Sequence, residues 1–118
     1  MKQPTLRHIQ GDGSNDCVVE AYATLLQISY IQALYRLRGI YNSDTGCHPE
    51  SLCDFLRKRH GAREVWPLNK RKRAVLLLNW GGYEQFGHAV VYNPGQGVIG
   101  DTWGRTLDKH LARVMEIP

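Results

Sequence analysis

The chain lacks the features that mark membrane, secreted and repetitive proteins. None of its apolar runs approaches the ~18 residues that a membrane span requires, and its N-terminal residues contain no apolar leader segment. It has only three cysteines, an odd number that disfavours a disulfide framework and leaves free thiols as the expectation. It has no internal repeat and no low-complexity tract. These absences predict a cytoplasmic protein with no membrane partner.

The composition predicts one globular domain spanning residues 1–118. With 42% hydrophobic and 22% charged residues, the chain can form a single core but is too short for two catalytic domains. Its net charge of +4 arises mainly from two basic runs, Arg57 to Arg59 and Lys70 to Arg73. Solvated helix ends and loops commonly carry such runs, so nucleic-acid binding through them is the less favoured interpretation.

Capping signals predict three helices in the N-terminal half. Each predicted start combines a polar or proline residue with a following apolar pattern, and the second start has the form of a capping box. Residues 40–48 are rich in turn-forming types and are predicted to be a loop. The signals are, in chain order, a start at Cys17, a start at Ser29 with Gln32, an end near Gly39, a start at Pro49 and an end at Gly61.

The C-terminal half predicts short antiparallel strands separated by turns. Residues 93–97 contain one proline and two glycines, which suits the loop of a hairpin. Helices followed by a sheet favour an α+β fold, with the N-terminal helices packed on one face of the sheet. The expected segments are strands over 63–66, 74–80, 88–93 and 98–102 in a meander, a short helix over 107–112 and a last strand over 113–117.

Cys17 is the cysteine whose position suits a nucleophile. It follows the polar stretch Gly11-Asp12-Gly13-Ser14-Asn15-Asp16 and opens the first predicted helix. The free N–H groups and positive dipole end of a helix N-terminus favour an anion, so we expect the thiol pKa to fall towards neutrality. Cys47 lies beside a loop and Cys53 on the inward face of the third helix, and both are interpreted as structural thiols.

Two further residues complete a set of groups suited to thiol catalysis. His88 opens an apolar strand, and Asp101 ends the next one. Thiol catalysis needs an imidazole beside the sulfur and an oxygen acceptor that orients the ring, and neighbouring hairpin strands can bring these groups together. Trp103 can shield the His88–Asp101 pair from water, or it can simply fill the core.

The segments around these residues resemble the Cys, His and Asp/Asn boxes of papain-like cysteine peptidases. The closer likeness is to a compact branch that includes bacteriocin-processing peptidase domains and many small phage and bacterial proteins. The resemblance implies a papain-like fold and a Cys17, His88, Asp101 triad. The boxes read Asn15-Asp16-Cys17-Val18, Gly87-His88-Ala89-Val90-Val91 and Val98-Ile99-Gly100-Asp101-Thr102-Trp103.

The resemblance also bears on the oxyanion hole. The family typically carries a glutamine six residues before the cysteine, whereas here position 11 is glycine and the nearest glutamine is Gln10. Gln10 or Asn15 is therefore the expected side-chain donor, and the backbone N–H of Cys17 is the second donor.

The leading hypothesis is a cysteine hydrolase, either a peptidase, an isopeptidase or an amidase, that acts on a peptide or protein through an acyl-thioester on Cys17. Acyl transfer or transglutaminase-type exchange uses the same residue order and differs only in the acceptor. A non-catalytic interaction module or inhibitor on the same fold is a further alternative. A metal site is disfavoured because the spacing fits no common zinc pattern, and no cofactor is expected; the residues concerned are Cys47, His48, Cys53 and His60.

Overall fold

The computed structural model describes residues 5–11, 16–80, 83–99 and 111–118, in which helices pack on an antiparallel sheet. The helices are α1 (Cys17–Leu26), α2 (Tyr30–Arg36) and α3 (Pro49–His60). The strands are β1 (Tyr41–Asn42), β2 (Gly46–Cys47), β3 (Arg63–Val65), β4 (Ala74–Trp80), β5 (Tyr83–Asn93), β6 (Gly97–Ile99) and β7 (Leu111–Glu116). The predicted α+β class is confirmed.

Local capping chemistry explains where the helices begin and end. The Gln32 N–H donates to Ser29 Oγ, and the Ser29 N–H donates to Gln32 Oε1, both at 3.1 Å, which completes the predicted capping box. α3 has Pro49 as its first residue and is followed by Gly61, whose φ of 64° suits glycine. The three predicted helices are therefore present, with starts that match their sequence signals.

The sheet has the strand order β3-β7-β4-β5-β6, with antiparallel neighbours throughout. The predicted meander is confirmed for β4, β5 and β6 but is wrong at β3, because β7 enters between β3 and β4. Val114 and Met115 of β7 are fully buried there, which removes apolar side chains from water on both faces of the sheet. This insertion pairs Val65 with Val114 across a long chain separation, and local turn signals do not encode such pairings.

Three segments differ in secondary structure from what the sequence predicts. The predicted helix over 107–112 is wrong for residues 111 and 112, because these residues belong to β7, which begins at Leu111. Residues 107–110 lie outside the described ranges. The region 40–48 contains the small β1–β2 ribbon rather than an unstructured loop. β5 begins at Tyr83 rather than at His88, so the histidine lies within the strand.

Side chains of alternate strand residues form two apolar clusters on opposite faces of the sheet. The helix-side cluster includes Val75 and Leu77 of β4 and Ala89 and Val91 of β5, packed with buried residues of all three helices. Val90 belongs to the cluster on the other face. α1 and β5 are in direct contact, so the N-terminal helices cover one face of the sheet as predicted.

No single helix within the described ranges has the length and hydropathy of a membrane span. α1 and α2 together have that length and composition, but their axes are bent by 109° at the junction. Most side chains of α1 are buried in the helix-side cluster.

Candidate functional site

Cys17 is the first residue of α1, and its thiol lies against β5. The helix begins there because Asp16 has a non-helical backbone, with φ at −109°, and its carbonyl accepts the Glu20 N–H at 2.9 Å. The thiol forms backbone hydrogen bonds with Ala89 of β5 and with Val18. Because Ala89 follows His88 in the strand, the start of α1 meets the sheet next to the predicted histidine.

Burial raises the pKa of the Cys17 thiol above its ordinary value. The hydrogen bonds with Ala89 and Val18 lower the pKa, and the negative charges of Asp16 and Glu20 raise it further. The expectation of a pKa near neutrality is therefore wrong. The helix N-terminus favours a thiolate, but removal of the sulfur from water and two nearby carboxylates outweigh it. At neutral pH the thiol is protonated and needs a base to ionise.

His88 lies opposite Leu78 at the point where the pairing of β4 and β5 loses its regular register. The histidine is half-buried and lines clefts on two sides of the contact between α1 and β5. The first cleft is lined mainly by apolar residues, with Val18, Cys47, Pro49, Leu52 and Ala89 beside His88. The second is more polar and includes His8, Glu20 and Thr24. His88 pairs with Leu78 and lies on the same strand face as Val90, and the side chains of Leu78 and Val90 belong to the cluster on the face away from the helices. The described contacts therefore bring the Cys17 thiol to the β5 backbone beside His88 and not to its imidazole.

Three predicted site residues, Asn15, Asp101 and Trp103, lie outside the described residues. The strand that leads towards Asp101 is β6, which pairs with β5 through Ile99 and Val91. The predicted hairpin over 93–97 is therefore confirmed, whereas the pairing of His88 with Asp101 falls beyond its described part. The orienting role of Asp101, the shielding by Trp103 and the donor role of Asn15 stay predictions.

The position six residues before Cys17 has no room for a side chain. A Cβ atom on Gly11 would lie 2.8 Å from Asp16 Cγ and 2.9 Å from Glu20 Cγ, well inside van der Waals contact. The Gly11 N–H donates to Glu20 Oε1, which holds the glycine against α1. This packing explains why a glutamine cannot occupy position 11. Gln10 is exposed next to it, and its role as an oxyanion donor stays a prediction.

Asp16 is a buried carboxylate next to the candidate nucleophile. Only 6% of the residue is exposed, and Asp16 Oδ2 accepts a hydrogen bond from the Tyr30 hydroxyl at 3.0 Å. This bond joins the start of α1 to the start of α2. Sequence reasoning assigned no role to Asp16, although an acidic residue directly before the cysteine is a signal that the thiol pKa will be raised.

Cys47 is a second thiol at the same cleft as His88. It lies at the end of β2, paired with Tyr41, and is half-buried. Burial raises its pKa to about 11, and the charges of Cys17 and Cys53 contribute to the increase. The sequence interpretation of Cys47 as a structural thiol therefore missed its place at the cleft.

The histidines and cysteines of the disfavoured metal site have other neighbours. His60 Nε2 and the Tyr22 hydroxyl are 2.7 Å apart, and His48 Nδ1 accepts the Glu50 N–H at 3.2 Å as a helix cap. In the part of the chain that the structure describes, no three His, Cys, Asp or Glu side chains are grouped closely enough to hold a metal ion.

The two basic runs differ in their surroundings. Arg57 pairs with Asp54 at 3.0 Å and with Glu64 at 3.1 Å, so its charge is largely compensated. Residues 70–72 are exposed in the turn before β4. Lys58 and Arg59 of the first run are exposed as well, so both runs present charge to solvent. Nucleic-acid binding through them stays the less favoured alternative.

No protein-family model, no curated protein and no solved structure matches this chain. The papain-like resemblance therefore depends on the three sequence boxes. Two of them, around Cys17 and His88, meet where α1 begins against β5.

Proposed function

We propose that the protein is a cysteine hydrolase that cleaves an amide or isopeptide bond in a peptide or protein. Cys17 is the nucleophile, His88 the general base and Asp101 the residue that orients the imidazole. The backbone hydrogen bond between the Cys17 thiol and Ala89 is the observation that supports this assignment most directly. It brings the sulfur to the residue that follows His88 in β5.

The raised pKa of Cys17 defines what His88 must do. Because the resting thiol is protonated, His88 accepts its proton as the sulfur attacks the substrate carbonyl carbon. The oxygen of the tetrahedral intermediate accepts the N–H of Cys17 at the start of α1, where helix dipole and free N–H groups favour negative charge.

The remaining steps return the enzyme to its starting state. As the intermediate collapses, the carbon–nitrogen bond breaks, and the leaving amine takes the proton from His88. The acyl group is left as a thioester on Cys17. A water molecule that gives a proton to His88 then attacks the thioester, the carboxylic acid departs, and the sulfur recovers a proton.

The first cleft favours a slender, extended substrate segment that lies along its apolar walls. Its cavity volume is about 20 Å³, room for about one water-sized group and far below the roughly 300–1,000 Å³ of ordinary ligand pockets. The walls are formed mainly by aliphatic residues, namely Val18, Leu52, Leu77, Leu78 and Ala89. A linear peptide segment or tail fits this description better than a folded protein surface does.

A peptide vinyl sulfone with an apolar residue next to its warhead tests the proposal. We expect mass spectrometry to locate the adduct on Cys17 in the wild type and to find none at this position in Cys17→Ala. Formation of the adduct should slow markedly in His88→Ala, because the raised pKa leaves little thiolate without a base. Cys53→Ala, which removes a fully buried thiol, is the matched control and should react like the wild type.

Two results would contradict this function. One is a folded wild-type protein that reacts with the probe at Cys47 rather than Cys17. The other is an unchanged rate of adduct formation in His88→Ala, which would mean that no base activates the thiol and would favour the non-catalytic interaction module.

A further inference from the structure

Cys47 lines the cleft beside the start of α1, next to the residues that hold the Cys17 thiol. The two backbone partners of the Cys17 thiol, Val18 and Ala89, both line the cleft that Cys47 also lines. Both cysteines are half-buried and pack against the helix-side cluster, whereas Cys53 is fully buried in α3. Ionisation of either Cys17 or Cys53 raises the pKa of Cys47, so both of these sulfurs lie near it. The site therefore holds two thiols that solvent can reach, not one.

Few backbone pairs hold the segment that carries Cys47. Each strand of the β1–β2 ribbon has only two residues. The last residue of β1 and the turn that follows it, residues 42–45, are exposed. Cys47 Sγ donates to the His48 carbonyl at 3.5 Å, and a thiol is a weak donor. A ribbon with so few ladder bonds can shift at a low free-energy cost. Cys53, in the middle of a buried helix face, has no comparable freedom.

We propose that Cys47 is the resolving thiol for Cys17. A hydroperoxide oxidises Cys17 to a sulfenic acid, and Cys47 converts it into a Cys17–Cys47 disulfide that blocks the nucleophile until a thiol reductant restores it. This inference goes beyond the proposed hydrolase, because the disulfide forms whether or not Cys17 cleaves a substrate.

The chemistry proceeds in two balanced steps. The Cys17 thiolate attacks one peroxide oxygen, the oxygen–oxygen bond breaks, and sulfur loses two electrons while the peroxide is reduced to water or an alcohol after protonation. Cys47 then attacks the sulfenic sulfur. The sulfur–sulfur bond forms, the sulfur–oxygen bond breaks, and hydroxide leaves as water with the Cys47 proton. A dithiol reductant returns two electrons and two protons by thiol–disulfide exchange.

Both steps depend on thiolates, so the reaction should be faster in mildly alkaline solution. The raised pKa values of Cys17 and Cys47 mean that few of these thiols are ionised at neutral pH. The protein is accordingly a slow sensor near neutrality, and its disulfide is best sought with excess peroxide at mildly alkaline pH.

The test treats the intact protein with hydrogen peroxide and maps the cysteines by peptide mass spectrometry without reduction. We expect a Cys17–Cys47 linkage in the wild type and in Cys53→Ala, reversed by dithiothreitol, with loss of iodoacetamide labelling at both positions. In Cys47→Ala, dimedone should trap a sulfenic acid on Cys17, and longer exposure should produce the sulfinic acid. Cys17→Ala should form no intramolecular disulfide through Cys47.

Three outcomes would overturn the proposal. They are a Cys47–Cys53 linkage in the wild type, a disulfide only between molecules, and equal accumulation of Cys17 sulfinic acid in the wild type and in Cys47→Ala. The readout is a peptide mass and not a hydrolytic rate. A chain that forms the disulfide but fails to react with the vinyl sulfone would therefore contradict the hydrolase alone.

Discussion

The Tyr30 hydroxyl donates to Asp16 Oδ2 over 3.0 Å and so holds a buried carboxylate directly before Cys17. Burial is the main cause of the raised pKa of the Cys17 thiol, and the charge of Asp16 adds to it. Tyr30 thus holds the Asp16 carboxylate in a position where its charge disfavours the Cys17 thiolate. Burial therefore has the largest effect on the ionisation of the candidate nucleophile, and the charge of Asp16 acts in the same direction.

Asp16→Asn should lower the pKa of Cys17. Asparagine keeps an oxygen that can accept the Tyr30 hydroxyl, but it removes the charge that disfavours the thiolate. We expect faster iodoacetamide labelling of Cys17 at neutral pH and a labelling profile shifted to lower pH. Tyr30→Phe, which retains the Asp16 charge, is the control and should label no faster than the wild type. A folded Asp16→Asn protein with unchanged labelling would show that this charge does not act on the thiol.

Gly11→Ala should destabilise the fold. Its Cβ would meet the carboxyl group of Asp16 and the side chain of Glu20, and Tyr30 prevents Asp16 from moving away freely. Overpacking of this kind costs about 1–3 kcal/mol, measurable as a lower midpoint of urea unfolding. Gly39→Ala is the matched control, because no heavy atom lies within 4 Å of the added Cβ there, and its midpoint should stay close to that of the wild type.

The helices were predictable because their signals are local. The capping box of Ser29 and Gln32, Pro49 at the start of α3 and Gly61 after its end each act within a few residues. The position of β7 was not predictable in the same way. It depends on pairing with β3 and β4, and hairpin signals describe only strands that are close in the chain.

The same distinction between local and long-range features applies to the candidate site. The helix start at Cys17 and the strand position of His88 follow from local sequence. The direction of the Cys17 pKa shift does not, because desolvation arises from packing against β5. The place of Cys47 at the cleft likewise requires the fold of residues 40–48 against the helix-side cluster.

His60 should make stability depend on pH. It contacts the Tyr22 hydroxyl and lies near the Phe55 ring, and burial, followed by the charges of Arg36 and Arg59, lowers its pKa. The unfolded chain then binds the proton more tightly than the folded one, so the free energy of unfolding falls as pH drops through about 6.5 towards the folded pKa. Above that pH range His60 is neutral in both states, and its full contribution to the free energy of unfolding is present.

The measurement compares wild type with His60→Gln by urea unfolding at pH 8 and pH 5. We expect the wild type to lose more stability than the variant on acidification, because glutamine cannot take up the proton. The comparison cancels the titration of the other histidines. A stability difference that is the same at both pH values would contradict the assignment.

Arg113 connects three elements through its guanidinium group. It donates to Glu64 on β3 at 2.6 and 3.1 Å and to Glu50 on α3 at 2.7 Å, and its side chain is only 23% exposed. Removing it by Arg113→Ala should cost about 1–2 kcal/mol, a value reduced for the partial exposure of both carboxylates. Arg63→Ala is the control. The Arg63 side chain is 75% exposed and has a 3.3 Å contact with Glu116, so its loss should cost below about 0.5 kcal/mol.

The contribution of Arg113 to the free energy of unfolding should also become smaller in acid. The hydrogen bond with Arg113 lowers the pKa of Glu64, so the pair stabilises the fold above the ordinary carboxyl pKa and loses this effect as pH falls through the folded value. Urea unfolding of wild type and Arg113→Ala at pH 7 and pH 3 measures the change, and the difference between them should shrink at the lower pH. A difference that persists in acid would mean that Arg113 stabilises β7 by packing of its aliphatic stem rather than by its charge.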